Sequence, residues 1–367
     1  MPPRKEQEGD GNEGTPRVEI ARAEPPQREG EAYRAFQAER KEALCNMDVN
    51  WDDEYVLKFA ADYQVVMKQH MEEIRKVACM DKSNVAYIDA KAVLFGNIIG
   101  NLQWRIRAEH LNQQALEGSL RTFRGTAVER RKISEQLIES RYKAEDFETF
   151  KGNLVLMKSA YEKFSADRVE VERYLLGGIE RGEIQVPDEM PYVMFVNKSE
   201  NKQYSVVYKY DKKLKKLSFK TCNIVSTGDQ VRWLEEEPEG GHVTPTRVFY
   251  IGEVKGLKHS SLEGKADVYG GEFVDKDQEQ YQMFRLYIKK GGSYEYTGYL
   301  VHPTWEEPLL GQTASHGCVR VPRLMDLQLV RIYDEFYKEQ GVTDFKKFPP
   351  DKVRTPSAKM PVVVRGI

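Results

Sequence analysis

The sequence has little cysteine and little histidine. It contains 4 Cys and 6 His among 367 residues. The cysteines, Cys45, Cys79, Cys222 and Cys318, show no CxxC spacing. They are too few for a disulfide framework, and they leave the redox compartment open.

A charge excess and a long apolar run are also lacking. The formal net charge is −2, so composition gives no reason to expect a nucleic-acid partner. The longest uncharged run, Ala92 to Trp104, is shorter than the ~18–20 residues of a membrane span. The N-terminus, MPPRKEQEGDGNEGT, has no apolar segment of the kind found in secretory signals. We therefore expect a soluble protein with no membrane span and no visible export signal.

The first half of the chain is predicted to be helical after a disordered tail. Residues 1–32 are rich in Glu, Gly, Pro and Arg and cannot bury enough surface to fold. In residues 33–180 apolar side chains recur at spacings of three and four, for example at Val56, Phe59 and Tyr63. A helical domain, built as an antiparallel bundle or a long hairpin, is the simplest interpretation.

After Pro191 the apolar period changes to two, which predicts strands. The fold class expected is therefore α+β, with the helical domain followed by a mainly-β sandwich or open barrel over residues 188–340. A late helix is predicted between Pro322 and Gly341. Residues 341–367 are predicted to form a C-terminal tail in which PVVVRG adds an edge strand.

The block SHGCVR, Ser315 to Arg320, carries the candidate chemistry. A cysteine attacks an acyl group only after its thiol loses the proton. His302 ends an apolar run upstream, and a loop would bring its imidazole to Cys318 as a general base. The N-terminus of the late helix is expected to favour a thiolate. Gly317 permits a tight turn whose N–H groups would hold an oxyanion, and Arg320 suits a substrate carboxylate.

Two other interpretations of these residues remain open. One buried cysteine near a histidine is commonly inert. A zinc site is the second, because several histidines and Cys318 are potential ligands. However, the HxC spacing matches no finger or ribbon pattern, and His242 and His259 are most simply exposed loop residues.

The segment HPTWEEPLLGQTASHGCVRV resembles the active-site signature of the L,D-transpeptidase family, also called the YkuD domain. The signature consists here of His302, twelve intervening residues and Ser315 to Arg320. Upstream, VSTG (225–228) and TPTRVFYI (244–251) are similar to two further landmarks. Two positions that are usually glycine in the family are Pro303 and Arg247.

The resemblance implies acyl transfer on peptidoglycan stem peptides through a thioester, without a metal or organic cofactor. It implies that Cys318 is the nucleophile, His302 the base, and His316 with Gly317 the oxyanion pocket. The residues expected to contact or position the substrate are Arg320, Ser315 and Thr304. Ser315 is also expected to orient a histidine.

Several points of function remain alternatives. The thioester would pass to an amine, giving a cross-link, or to water, giving L,D-carboxypeptidase activity. Attachment or removal of a protein at the stem, and a non-catalytic wall-binding scaffold, are the other hypotheses. The helical region is expected to dock a partner, self-associate or limit access to the cleft.

A cell-wall substrate predicts the periplasm or cell envelope as the location. The missing secretory signal conflicts with this expectation. A signal absent from the sequence, a non-classical route, or delivery into another cell would resolve the conflict.

Overall fold

The computed structural model describes residues 51–81, 85–228, 243–256, 282–304, 307, 310–312, 315, 317–339 and 358–367. The tail predicted at residues 1–32 and the start of the predicted helical domain lie outside these ranges. The helices described are α1 (Trp51–Asp62), α2 (Gln64–Met67), α3 (Met71–Ala78), α4 (Val85–Thr122), α5 (Ala127–Glu180) and α6 (Arg323–Glu339). The strands are β1 (Tyr192–Asn197), β2 (Tyr204–Asp211), β3 (Lys216–Ile224), β4 (Arg247–Gly256), β5 (Gln282–Lys290), β6 (Ser293–Pro303), β7 (Val319–Val321) and β8 (Pro361–Arg365).

A long antiparallel hairpin of α4 and α5 forms the frame of the helical region. Helix α4 has 38 residues and α5 has 54. Helix α5 begins with a capping box, in which Thr126 and Glu129 satisfy each other's backbone N–H groups. Helix α5 continues through Gly152, since a glycine weakens a helix by only about 1 kcal/mol and does not end it. None of the described helices has both the length and the apolar character needed to cross a bilayer.

The run from Val56 to Val77, which the periodicity predicts as one helix, is divided into α1, α2 and α3. The backbone leaves the helical path at Tyr63 and again at residues 68–70. These short helices pack on the hairpin through aromatic side chains, with Phe59 stacked on Phe150 of α5. The predicted apolar face is present, but the prediction of one continuous helix is wrong.

The β-region is a single mixed sheet of 8 strands in the order β3-β2-β1-β8-β4-β5-β6-β7. The sheet is curled, since the chain just after β3 reaches the last strand and Ser226 bridges to Arg320 of β7. An α+β architecture with N-terminal helices, a mainly-β region and a late helix is confirmed.

The edge strand predicted for PVVVRG is wrong in its position. Strand β8 lies inside the sheet, parallel to β1 and antiparallel to β4. Its residues Val362, Val363 and Val364 are all buried, which is typical of a strand covered on both faces. Pro361, which cannot donate to the ladder, is the first residue of the strand.

Each face of the sheet has its own hydrophobic cluster. On one face, Tyr208 and Phe219 pack against Phe164 of α5. On the other face, Phe284 of β5 packs against Tyr333 of α6. The helical region therefore shares its core with strands β1 to β3, while α6 covers the opposite face.

A buried carboxylate joins the helices to the sheet. Asp52 of α1 accepts hydrogen bonds from Tyr161 of α5 at 2.5 Å, from Thr221 of β3 at 2.7 Å and from Gln328 of α6 at 3.3 Å. Burial raises the pKa of Asp52, although the charge of Lys91 and the hydrogen bonds from Tyr161 and Thr221 oppose the shift. One side chain thus connects four elements.

Candidate active site

Strands β6 and β7 bring the two halves of the signature together. They pair in parallel, with Val301 opposite Val319 and His302 opposite Arg320. Val301 and Val319 are completely buried in the cluster that includes α6. Because successive side chains on a strand point to opposite faces, His302 and Arg320 lie on the face away from that cluster.

Cys318 immediately precedes β7. The positive charge of Arg320 acts on both Cys318 and His302. The structure therefore brings together three residues that the sequence predicted as nucleophile, base and substrate-binding cation.

Burial favours the protonated thiol of Cys318. Burial raises its pKa, and a hydrogen bond from the backbone of Leu300 and the charge of Arg320 only partly oppose this effect. The prediction that the late helix stabilises a thiolate is wrong, because β7 lies between Cys318 and Arg323, the first residue of α6. A helix terminus acts on charges within about one turn of its end.

The imidazole of His302 is held in its neutral form. Its Nδ1 lies 2.8 Å from the carbonyl oxygen of Pro303. Since a carbonyl oxygen only accepts, Nδ1 carries the proton and Nε2 keeps a free lone pair. Burial lowers the pKa of His302 to about 4; the bond to Pro303 opposes the shift and the charge of Arg320 adds to it. The imidazole can therefore receive a proton throughout the neutral range.

Ser315 shapes the turn before the nucleophile. Its buried hydroxyl donates to the carbonyl oxygen of Cys318 and accepts the N–H of Gly317 at 3.2 Å. Gly317 has φ of +104°, a conformation that is readily available only to glycine. The turn that the sequence predicted at Gly317 is present, and Ser315 fixes its two ends.

The upstream segment VSTG stabilises this turn through backbone hydrogen bonds. The N–H of Ser315 donates to the carbonyl of Thr227 at 3.2 Å, and Ser226 exchanges two backbone hydrogen bonds with Arg320 at 2.9 and 2.8 Å. The N–H of Thr227 in turn donates to the side chain of Gln203 at 2.7 Å. A segment with no candidate catalytic group therefore positions the turn that carries Cys318.

Thr244, the first residue of the TPT landmark, completes the support. Its Oγ1 donates to the carbonyl of Gly317 at 2.8 Å and accepts the N–H of Gly228 at 2.9 Å. No local sequence pattern predicts a role for Thr244, Thr227 or Gln203. The resemblance of VSTG and TPT to family landmarks was the signal that pointed to two of them.

Two further predicted site residues are Thr304 and His316. Thr304 is buried, and its N–H donates to the carbonyl of Val321 at 3.1 Å. His316 lies outside the described residues. The oxyanion role of His316 and Gly317, and substrate contacts by Ser315 and Thr304, stay predictions.

The two glycine positions of the family pattern accommodate their replacements without loss of the candidate catalytic groups. Arg247 is the exposed first residue of β4. Pro303 ends β6 and presents its carbonyl to His302. Proline lacks an N–H but keeps this acceptor, so the orientation of the imidazole is preserved.

Metal ligation has no candidate in the described part of the chain. No group of three His, Cys, Asp or Glu side chains there is arranged to hold an ion. His242 and His259, considered above as ligands, lie outside the described ranges.

Comparison with known proteins addresses the catalytic region. A search of curated proteins found no match to the chain. The family model for the L,D-transpeptidase catalytic domain, YkuD, matches residues 191–329. The match contains β1 to β7, His302 and the whole SHGC block, and it leaves α1 to α5 and β8 outside. Residues 191–329 thus resemble the catalytic domain of the L,D-transpeptidases, as the active-site signature indicated.

Proposed function

We propose that the protein is a cysteine-dependent L,D-transpeptidase that acts on peptidoglycan stem peptides. The observation that carries this proposal is the hydrogen bond from Nδ1 of His302 to the Pro303 carbonyl, in a side chain that feels the charge of Arg320 together with Cys318. A thiol beside an unprotonated base is suited to acyl transfer.

The first half-reaction forms a thioester. The thiol of Cys318 gives its proton to Nε2 of His302 as sulfur bonds to the carbonyl carbon of the third stem residue. The tetrahedral adduct then breaks its bond to the terminal D-alanine nitrogen, which takes the proton back from His302. Because the pKa of the thiol is raised and that of the imidazole lowered, proton transfer accompanies attack rather than preceding it.

The oxyanion of the adduct requires backbone donors. The N–H of Gly317 is already committed to Ser315, so we assign the oxyanion to the N–H of Cys318, with His316 as a second candidate donor. The hydrogen bonds from Ser315 and Thr244 hold the peptide planes on either side of Cys318. These contacts are formed before substrate binds, which reduces the reorganisation that the reaction needs.

Arg320 would bind a carboxylate of the donor stem. It lies directly opposite His302 in the strand pair and carries a charge at every physiological pH. In the second half-reaction, the amine of another stem or a water molecule attacks the thioester, with His302 again as base. Because peptidoglycan is the substrate, we place the protein in the cell envelope.

Intact-mass analysis after incubation with a carbapenem, a class that acylates the cysteine of this family, tests the proposal. We expect one covalent adduct on the wild-type protein and on Cys79→Ala, and none on Cys318→Ala. Incubation with a disaccharide tetrapeptide would then show loss of D-alanine for hydrolysis or stem-to-stem dimers for transfer. A folded wild-type protein without an adduct would refute the assignment.

A further inference from the structure

Helix α5 brings a lysine to the loop between the base and the nucleophile. Lys163 is half-buried, and a Cβ added to Gly311 would lie 3.5 Å from its Nζ. Gly311 has φ of +93°, and its N–H donates to the carbonyl of Val225 at 3.0 Å. The ammonium group therefore lies against the backbone of the active-site loop, although Lys163 is outside the residues that match the family.

Among the described residues, no carboxylate pairs with this lysine. Asp167, four residues later on α5, would be its usual helical partner. Instead, Asp167 accepts hydrogen bonds from Lys202 at 3.0 Å, Tyr204 at 3.2 Å and Asn197 at 3.3 Å. Lys163 makes no hydrogen bond or ion pair within the described ranges, and burial is the only influence that shifts its pKa, downward.

A partly desolvated ammonium without a counter-ion is unfavourable by itself. The described residues give Lys163 no partner, so an anion bound at the edge of this loop would supply one. Lys198 differs from Lys163 in having a partner, since its ammonium group donates to the carbonyl of Thr244 at 2.8 Å.

The backbone beside Lys163, at Gly311, lies about two strand spacings from Arg320, a separation that one stem peptide can span. Gly311 is bonded to Val225, and the next residue, Ser226, is paired with Arg320. Two strand spacings amount to roughly 10 Å. An extended peptide covers about 3.3–3.6 Å per residue, so this distance corresponds to about three residues of substrate.

Both residues also lie outside the α6 core. Ile224, whose side chain also lies beside Gly311, belongs to the cluster of the helical region. Leu310, the residue before Gly311, belongs to the same cluster. His302 and Arg320 lie on the strand face opposite Val301, which belongs to the α6 cluster. An extended ligand can therefore contact the catalytic residues and Lys163 without crossing the sheet.

We infer that Lys163 binds a side carboxylate of the donor stem, two residues before the terminal D-alanine; the inference rests on the proposed function. In a peptidoglycan stem the γ-linked D-glutamate at position two keeps a free α-carboxylate. Arg320 would bind near position four, at the scissile end. The helical region thus contributes a specificity residue to the cleft and favours stems whose D-glutamate is not amidated.

Titration calorimetry with the Cys318→Ala protein, which binds without turnover, tests this inference. The two probes are the tetrapeptide L-Ala-γ-D-Glu-diamino acid-D-Ala and the same peptide with the D-glutamate carboxylate amidated. Adding Lys163→Met should weaken binding of the acid peptide about tenfold, the effect of one charge-assisted contact, and leave binding of the amide unchanged. Lys163→Arg should retain the preference for the acid peptide.

Lys158→Met is the matched control, because Lys158 lies on the same helix and is paired with Glu162; we expect no change in either affinity. The inference would be overturned if Lys163→Met reduced the affinity for both peptides equally or did not reduce it at all. It would also be overturned if neither peptide bound the Cys318→Ala protein. Carbapenem labelling of the single Lys163→Met variant keeps the two proposals separate. If the adduct forms but acid and amide bind alike, the subsite is refuted and the transpeptidase assignment stands; if the wild-type forms none, the assignment itself fails.

Discussion

His302 donates a hydrogen bond from Nδ1 to the carbonyl oxygen of Pro303, 2.8 Å away. The acceptor belongs to the backbone, so no side-chain carboxylate is needed to select the tautomer. Nothing in this contact stabilises an imidazolium as strongly as an aspartate would. The resting pair is accordingly a thiol and a neutral imidazole, and this state has a measurable signature.

The rate at which iodoacetamide alkylates Cys318 should not reach a plateau as the pH rises through the neutral range. The reagent attacks the thiolate, and the pKa of Cys318 is raised above its usual value of 9.0. We expect the rate, followed by peptide mass spectrometry, to keep increasing up to at least pH 9. A thiolate–imidazolium pair would instead give a constant rate from about pH 5 upward, and observing one would show that the neutral resting pair is wrong.

His302 should also make stability depend on pH. Its folded pKa is about 4 against 6.5 for the free side chain, so the unfolded chain binds more protons between these values. The stability associated with neutral His302 is present above pH 6.5 and is lost as the pH falls toward 4. In urea unfolding, the wild-type should lose about 1–2 kcal/mol more than His302→Gln between pH 7 and pH 5. Parallel pH profiles for the two proteins would contradict the buried neutral imidazole.

The hydroxyl of Ser315 should contribute to rate more than to stability. Ser315→Ala removes the donor to the carbonyl of Cys318 and the acceptor for Gly317. Since displacement of a reacting group by about 1 Å can reduce the rate 100-fold, we expect acylation by a carbapenem to slow 10- to 100-fold. The free energy of unfolding should fall by only about 1–3 kcal/mol.

Ser119→Ala is the control, because the Ser119 hydroxyl binds only its own helix on an exposed surface. Thr244→Val should resemble Ser315→Ala, and the double variant should be less than additive because both side chains hold the same turn. Fully additive effects would show that they act on separate parts of the site.

The candidate reactive residues were identifiable from the sequence because they are close together and chemically rare, whereas the residues that support them were not. Cys318, Ser315 and Gly317 form one short block. Thr244, in contrast, contacts Gly317 across a sequence separation of 73 residues. A threonine that bonds two backbone groups has no distinctive local pattern, so its function depends on tertiary contacts that periodicity does not encode.

The fold shows the same division between local and long-range information. Alternation located strands such as Tyr192–Asn197 and Tyr204–Asp211, whose connecting turn contains Asn201 with φ of 64°. It could not place β8, because the order of strands depends on pairing between distant segments. It also missed β7, whose 3 residues are too few to show a period.

The contact between Asp52 and Gln328, at 3.3 Å, predicts that the helices and the catalytic region unfold together. Asp52→Ala would leave the buried donors of Tyr161, Thr221 and Gln328 without their shared acceptor. Because each unsatisfied buried donor costs about 1–3 kcal/mol, we expect a loss of about 3–5 kcal/mol in the free energy of unfolding. The loss should appear in a single transition, since this one side chain joins α1, α5, β3 and α6.

Glu135→Ala is the matched control for Asp52→Ala. Glu135 lies on α5 and forms an exposed ion pair with Arg131, and such pairs contribute about 0–1 kcal/mol. Circular dichroism at 222 nm reports the helices, and acylation of Cys318 reports the catalytic region at each urea concentration. Coincident midpoints, shifted together by Asp52→Ala and unshifted by Glu135→Ala, are expected. If the helical signal were lost at lower urea while Cys318 remained reactive, the buried carboxylate would stabilise only the helices, and the catalytic sheet would fold without them.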